Sequence, residues 1–262
     1  MGAPLFVIDA FADAPFGGNP AAVCLLDAPA EPEWMQSVAA EMNLAETAFV
    51  VPAGAEFGLR WFTPRVEVPL CGHATLASAH VLWDGWVPHD VSVRFQTASG
   101  LLTCTRAGDL IEMVLPADVP EPIALTSHLT DALGVEITGG FTSRVGKVLV
   151  VTDAASVRAL EPDFDAIAAL DGPGVIVTAA SDVADFDFIS RYFAPAVGID
   201  EDPVTGSAHC ALAPFWAERL GRDELVGYQA SKRGGTVRCR IDGERVVLGG
   251  HAITVTRGDL LV

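Results

Sequence analysis

Lysine is nearly absent from this 262-residue chain: Lys147 and Lys232 are its only two. Lys and Arg together number 16 against 34 Asp and Glu, a formal net charge of −18 that repels phosphate backbones and anionic lipid. Nucleic acid and membrane surfaces are therefore excluded as expected partners, and a small molecule is the default. Neither lysine lies in the motif blocks described below, so those blocks lack the Schiff-base residue that pyridoxal phosphate requires. No G-x-G-x-x-G or Walker sequence follows a strand pattern, which argues against a nucleotide-dependent enzyme. Cysteine is sparse as well: Cys24, Cys71, Cys104, Cys210 and Cys239 are odd in number and form no C-x-x-C pair. That excludes a disulfide framework and a structural zinc site, and it fits a reducing cytoplasm. The first ten residues lack a basic segment and Asp9 interrupts their apolar run, so they do not read as a signal peptide. No stretch reaches the roughly 20 apolar residues that span a bilayer.

Hydrophobic residues make up 50% of the chain, enough for a sizeable core in one large domain or two smaller ones. An internal repeat favours two. Arg60-Trp61-Phe62-Thr63-Pro64 is echoed by Arg191-Tyr192-Phe193-Ala194-Pro195, and Gly72-His73-Ala74 by Gly206-Ser207-Ala208. Further on, Gly100, Cys104 and Gly108 match Gly235, Cys239 and Gly243. Each copy reads as an aromatic strand, a proline-containing loop, a glycine at a helix start, an apolar helix and a hairpin. The helices predicted over 74–83 and 208–220 are apolar nearly all round, as expected of helices surrounded by strands rather than lying on a sheet. Pro214 should kink or shorten the second. Strands are predicted at 91–95, 110–114 and 245–248, with hairpin turns at Gly108 and Gly243. Pro116, Pro120 and Pro122 suggest a linker, giving domains 1–118 and 119–262, with the last strand free to return to the first domain. A single α+β domain whose similar segments coincide by chance is the competing reading.

Four ordered blocks carry a further pattern: Phe11-Ala12-Asp13-Ala14-Pro15-Phe16-Gly17-Gly18-Asn19-Pro20-Ala21, Asn43-Leu44-Ala45-Glu46-Thr47-Ala48-Phe49, Glu67-Val68-Pro69-Leu70-Cys71-Gly72-His73-Ala74-Thr75, and Asp202-Pro203-Val204-Thr205-Gly206-Ser207-Ala208. Together they resemble the phenazine-biosynthesis (PhzF-like) family of isomerases. The resemblance implies an α+β, diaminopimelate-epimerase-like fold: two pseudo-symmetric barrel-like domains, each around a central helix. It implies a proton shift on a small carboxylic acid in the cleft between the halves, with no metal and no cofactor, and a homodimer as the family's habit. It places an acid/base glutamate on Glu46 and the accompanying histidine, aspartate and serine on His73, Asp202 and Ser207. The epimerases carry one thiol in each half, whereas this chain keeps Cys71 and has Pro203 where the second is expected, so a two-thiol racemase mechanism does not carry over. Cys71-Gly72-His73-Ala74 also departs from the Ala-Gly-His-Pro of the phenazine enzymes, so their substrate does not carry over either.

Elementary chemistry supports the same residues. Proton transfer from carbon needs a base whose pKa is raised toward working pH, and a carboxylate among apolar neighbours gains that shift by desolvation. Glu46 stands in such a setting, where a helix pattern over 34–42 gives way to a strand. Gly72 and His73 open one central helix, and Gly206 and Ser207 open the other. Free N–H groups at such ends hold a substrate carboxylate. Asn19, after Gly17-Gly18, is a candidate substrate contact, and Asp202 a further acid/base. A serine hydrolase is disfavoured, because the sequence around Ser207 and His209 lacks the Gly-x-Ser-x-Gly elbow. Metal-assisted enolisation is disfavoured because Glu46, His73 and Asp202 come from separated loops. A non-catalytic binding protein on the same scaffold is the remaining rival, distinguished by ligand binding without solvent proton exchange.

Overall fold

Alternating strands closed by glycine turns build the simplest parts of the molecule. Gly108 and Gly243 adopt φ of +65° and +59°, a backbone region that side chains disfavour, and each opens a two-residue turn between antiparallel strands. The computed structural model describes residues 2–262. The first part of the chain forms β1 (Ala3–Ala10), β2 (Asn19–Leu25), α1 (Pro32–Met42), β3 (Glu46–Ala53), β4 (Glu56–Phe62), β5 (Glu67–Val68), α2 (Gly72–Trp83), β6 (Val93–Thr97), β7 (Gly100–Ala107) and β8 (Leu110–Pro116). There follow β9 (Glu121–Pro122), α3 (Ser127–Leu133), β10 (Ile137–Ser143), β11 (Gly146–Val151), α4 (Ala154–Arg158), α5 (Phe164–Ala168) and β12 (Val175–Ala180). The remainder is β13 (Phe188–Ala194), β14 (Ile199–Asp202), α6 (Gly206–Leu220), β15 (Glu224–Gln229), β16 (Gly235–Asp242), β17 (Arg245–Gly250) and β18 (Ala252–Leu260). Two units result: one up to Val114 together with Gly249–Val262, the other Leu115–Leu248.

In the first unit β1 pairs antiparallel with both β2 and β18, β2 runs parallel to β3, β3 antiparallel to β4, and β4 parallel to β6. The last strand of the chain thus lies beside the first. Helix α2 packs against β1, β2 and β3, and every residue from His73 to Trp83 except His80 is buried. Its two hydroxyl side chains are satisfied by backbone carbonyls one turn earlier: Thr75 Oγ1 donates to Cys71 O at 2.6 Å and Ser78 Oγ to Ala74 O at 2.7 Å. Helix α1 begins with a proline, which needs no N–H there, and ends on Asn43 at φ +50°. It buries Met35 and Val38 in a cluster with Phe49 and Phe62, about 1.5–3 kcal/mol for each large side chain. The strand expected from Val91 begins instead at Val93, because Val91 is held in a turn: its N–H donates to Pro88 O and its carbonyl accepts from Trp83 Nε1 at 3.0 Å.

The second unit repeats the plan. Strand β10 is antiparallel to β11, β11 parallel to β12, β12 antiparallel to β13, and β13 parallel to β15. Helix α6 packs against β15 and β16. The short helices α3, α4 and α5 bury Leu133, Val157 and Ile167 in one cluster with Leu149, Val177 and Phe193. Even side-chain detail recurs: Arg60 is bidentate to Glu67 and lies over the Phe62 ring, as Arg191 is bidentate to Glu201 and lies over Phe193. Pro214 does not shorten α6, which continues to Leu220. The carbonyl that its missing N–H would have left unpaired, Cys210 O, accepts from Asp118 N–H at 3.0 Å.

Candidate active site

The first cluster of chemically active side chains is built by the ends of three elements in the first unit. Asp9 is buried and accepts the Phe16 N–H at 2.8 Å, which shapes the loop between β1 and β2. Gly18 closes that loop at φ +64°, where a Cβ would lie 2.2 Å from Ala10 O, so no other residue fits. The loop delivers Asn19, fully buried, to the start of β2. Because β2 runs parallel to β3 with Ala21 opposite Glu46, the carboxyl group at the start of β3 lies at the same end. Helix α2 starts at Gly72 with Cys71 as its N-cap, and His73 is its second residue.

The imidazole is the hub. His73 Nε2 lies 3.2 Å from Glu46 Oε2, and Asn19 Nδ2 donates to Nδ1 at 3.2 Å. Cys71 Sγ is 3.5 Å from the same Nδ1. With the amide donating to Nδ1, the ring proton belongs on Nε2, facing Glu46. Burial pushes the His73 pKa down to about 3, so the ring is neutral at ordinary pH. Glu46 keeps 12% of its side chain exposed, so this end of the cluster is within reach of solvent.

The second cluster lies in the second unit and is chiefly a hydrogen-bonded frame. Asp202 ends β14 and accepts from Thr205 Oγ1 at 2.5 Å. Gln229, wholly buried at the end of β15, donates to Asp202 O at 2.7 Å and to Thr205 Oγ1 at 3.1 Å, and accepts the Thr205 N–H at 2.9 Å. This bracing fixes the start of α6, whose N-cap is Thr205 and whose first two residues are Gly206 and Ser207. Ser207 is therefore inside the first turn rather than a cap, among N–H groups that have no acceptor within the helix. His209 follows, fully buried: its Nδ1 meets Thr205 O at 2.9 Å, and burial lowers its pKa to about 4.

Of the residues expected from sequence, Asn19, Glu46, Gly72 and His73 come together in the first unit, and Asp202, Gly206 and Ser207 in the second. The sequence argument that the titratable candidates come from separated loops fails for Glu46 and His73, which the fold places in contact. With Cys71 they form a set in which one donor atom from each lies within 4.8 Å of the others. Thr205, not Pro203, holds the position in the second unit that Cys71 holds in the first, since both are the N-caps of the central helices. Gln229 escaped the sequence reading altogether. It sits in an ordinary strand pattern, and only the pairing of β13 with β15 brings it beneath the helix start. Among the described residues no disulfide forms, and no helix is long and apolar enough to cross a membrane.

The sequence pattern of the phenazine biosynthesis-like proteins (PhzC-PhzF) matches residues 8–258. The chain is 45% identical over 264 residues to a protein of Halalkalibacterium halodurans named an uncharacterized isomerase, covering 100% of both chains. It superimposes on the crystal structure of a phenazine biosynthesis protein of the PhzF family from Enterococcus faecalis with a TM-score of 0.97, at 42% identity and 100% coverage of each chain. A probable proline racemase from Agrobacterium radiobacter gives a TM-score of 0.69 at 12% identity over 99% of this chain and 93% of that one, a likeness of fold alone. The fold is thus α+β and epimerase-like.

Proposed function

Since this chain belongs to the phenazine biosynthesis-like family, we propose that it is an isomerase that moves a proton on a small carboxylic acid using side chains and helix ends, without metal or organic cofactor. The observation that carries this reading is the contact of His73 Nε2 with Glu46 Oε2 at 3.2 Å in a nearly dry setting. The isomerase name borne by the Halalkalibacterium relative, 45% identical over its full length, supports the reaction class.

Glu46 takes a proton from a carbon acidified by its neighbouring group and returns it at another carbon. His73, neutral and held by Asn19, keeps its Nε2 3.2 Å from the carboxylate and limits where that carboxylate can turn. The amides of Gly72 in one unit, and of Gly206 and Ser207 in the other together with the Ser207 hydroxyl, offer anion-binding positions for carboxylate groups. Asp202, oriented by Thr205, is proposed as a further acid–base carboxyl group. A cytoplasmic homodimer completes the proposal.

The test is a screen of small carboxylic acids in D₂O with mass detection. Glu46-dependent incorporation of deuterium into one compound identifies substrate and reaction together. Binding of a compound with no label incorporated would instead make the protein a carrier on this scaffold.

A further inference from the structure

We propose that Glu46, Cys71 and His73 also form a binding site for one borderline-soft divalent cation of the Zn²⁺ class, and that the bound cation switches the site off. The second half of the proposal rests on the reading of Glu46 and His73 as the acid–base pair. The first half rests on geometry alone.

A carboxylate oxygen, a thiol sulfur and an imidazole nitrogen lie mutually within 4.8 Å. Zn²⁺ bonds of about 2.0–2.1 Å to N or O and about 2.3 Å to S give a tetrahedron with edges of roughly 3.3–3.6 Å. The contacts already present, 3.5 Å from Cys71 Sγ to His73 Nδ1 and 3.2 Å from His73 Nε2 to Glu46 Oε2, have that scale. These contacts are to opposite ring nitrogens and only one of them binds a metal, so the remaining donor has to close in from within 4.8 Å. The donor chemistry is selective: sulfur with imidazole favours Zn²⁺ over Mg²⁺ or Ca²⁺, which require oxygen shells. Charge balances as well. A thiolate and a carboxylate neutralise a dication, so the buried complex carries no net charge.

Cys71 is the cysteine suited to this. It is the N-cap of α2, and its Sγ lies 3.5 Å from His73 Nδ1. Cys24, Cys104, Cys210 and Cys239 lie outside the cluster, and burial pushes the thiols of the first three up to about 11, 12 and 12 and that of Cys239 upward too. When the metal binds, the Cys71 S–H bond breaks, its proton leaves to solvent, and the sulfur lone pair takes the cation; nothing is oxidised or reduced. The cation then occupies the lone pairs that Glu46 needs for proton transfer, so metal binding and catalysis exclude each other.

The experiment is titration of the metal-stripped full chain with Co²⁺, a spectroscopic stand-in for Zn²⁺. We expect a thiolate-to-cobalt charge-transfer band that saturates at one equivalent and disappears when Zn²⁺ is added. Cys71→Ser should lose the band and Cys24→Ser should keep it. A parent protein without the band, or a Cys71→Ser variant that retains it, overturns the site. Should Cys71→Ser not fold, alkylation of the parent decides: Zn²⁺ must protect the peptide containing Cys71, and equal labelling with and without Zn²⁺ overturns the proposal. The two readings fail separately. An intact band with turnover indifferent to Glu46→Gln removes only the acid–base assignment, whereas Glu46-dependent turnover without a band removes only the cation site.

Discussion

Phe62 in one unit and Phe193 in the other pair across their strands with Thr47 and Val175, so the residue preceding each partner is Glu46 in the first unit and Gly174 in the second. A Cβ at Gly174 would lie 2.6 Å from Tyr192 Oη and 2.7 Å from Phe193 O. The second unit has therefore filled with a tyrosine ring the place where the first presents a carboxyl group. The helix starts diverge in the same sense: Cys71 and His73 stand where the other unit has Thr205 and Ser207. One copy of the repeated backbone sets Glu46 beside His73 and Cys71, and the other braces its helix start through Asp202, Thr205 and Gln229. Duplication supplied two equivalent scaffolds, and side-chain packing made them unequal.

The sharpest way to break this comparison is to remove one group from each unit. Glu46→Gln keeps size but removes the base, and turnover should fall roughly 10²–10⁴-fold with binding largely retained. Ser207→Ala should instead raise KM by roughly 3–10-fold, the value of one hydrogen bond, with little change in kcat. Steady-state kinetics on the compound found by the deuterium screen separates the two, and equal effects on kcat would refute a division between a chemical and a binding unit.

Acid should strain both units, each through its own histidine. The folded pKa values, about 3 for His73 and about 4 for His209, lie below the ordinary 6.5 because of burial. Below pH 6.5 the unfolded chain therefore binds protons that the folded chain refuses, and stability falls as pH falls. The loss from His209 runs down to about pH 4 and that from His73 to about pH 3, on the order of 10 kcal/mol at most in all. Urea unfolding at several pH values should show this slope, and His209→Leu should flatten it by removing the second unit's share. An unchanged slope would mean that this ring is not buried neutral.

A smaller effect probes the filled position. Gly174→Ala should cost about 1–3 kcal/mol in denaturant unfolding, because backbone as well as the Tyr192 ring stands in the way. No measurable cost would show that the second unit has room for a side chain there and that the asymmetry has another origin. The smallest expected effect is none: prolonged dialysis against EDTA should leave full activity. Activity lost with EDTA and restored by a divalent metal would replace the proposed mechanism with a metal-assisted one.

The repeat, the central helices and the hairpins were legible in the sequence because each depends on local pattern. A helix apolar on all sides must be surrounded, as α2 is, and a glycine at positive φ marks its turn wherever the chain goes next. Part of each cluster was legible too, since Asn19, Glu46, His73, Asp202 and Ser207 lie in recognisable blocks, whereas Gln229 and the place of Thr205 were not. Neither was contact between the members. That His73 touches Glu46 depends on α2 packing against the parallel pair β2 and β3, and that Gln229 braces Thr205 depends on β13 lying beside β15. Pro214 teaches the same lesson. By itself the sequence determined that an N–H is missing from α6, but only the tertiary structure decided that Asp118 would supply one in its place, because hydrogen bonding is indifferent to distance along the chain and exacting about distance in space.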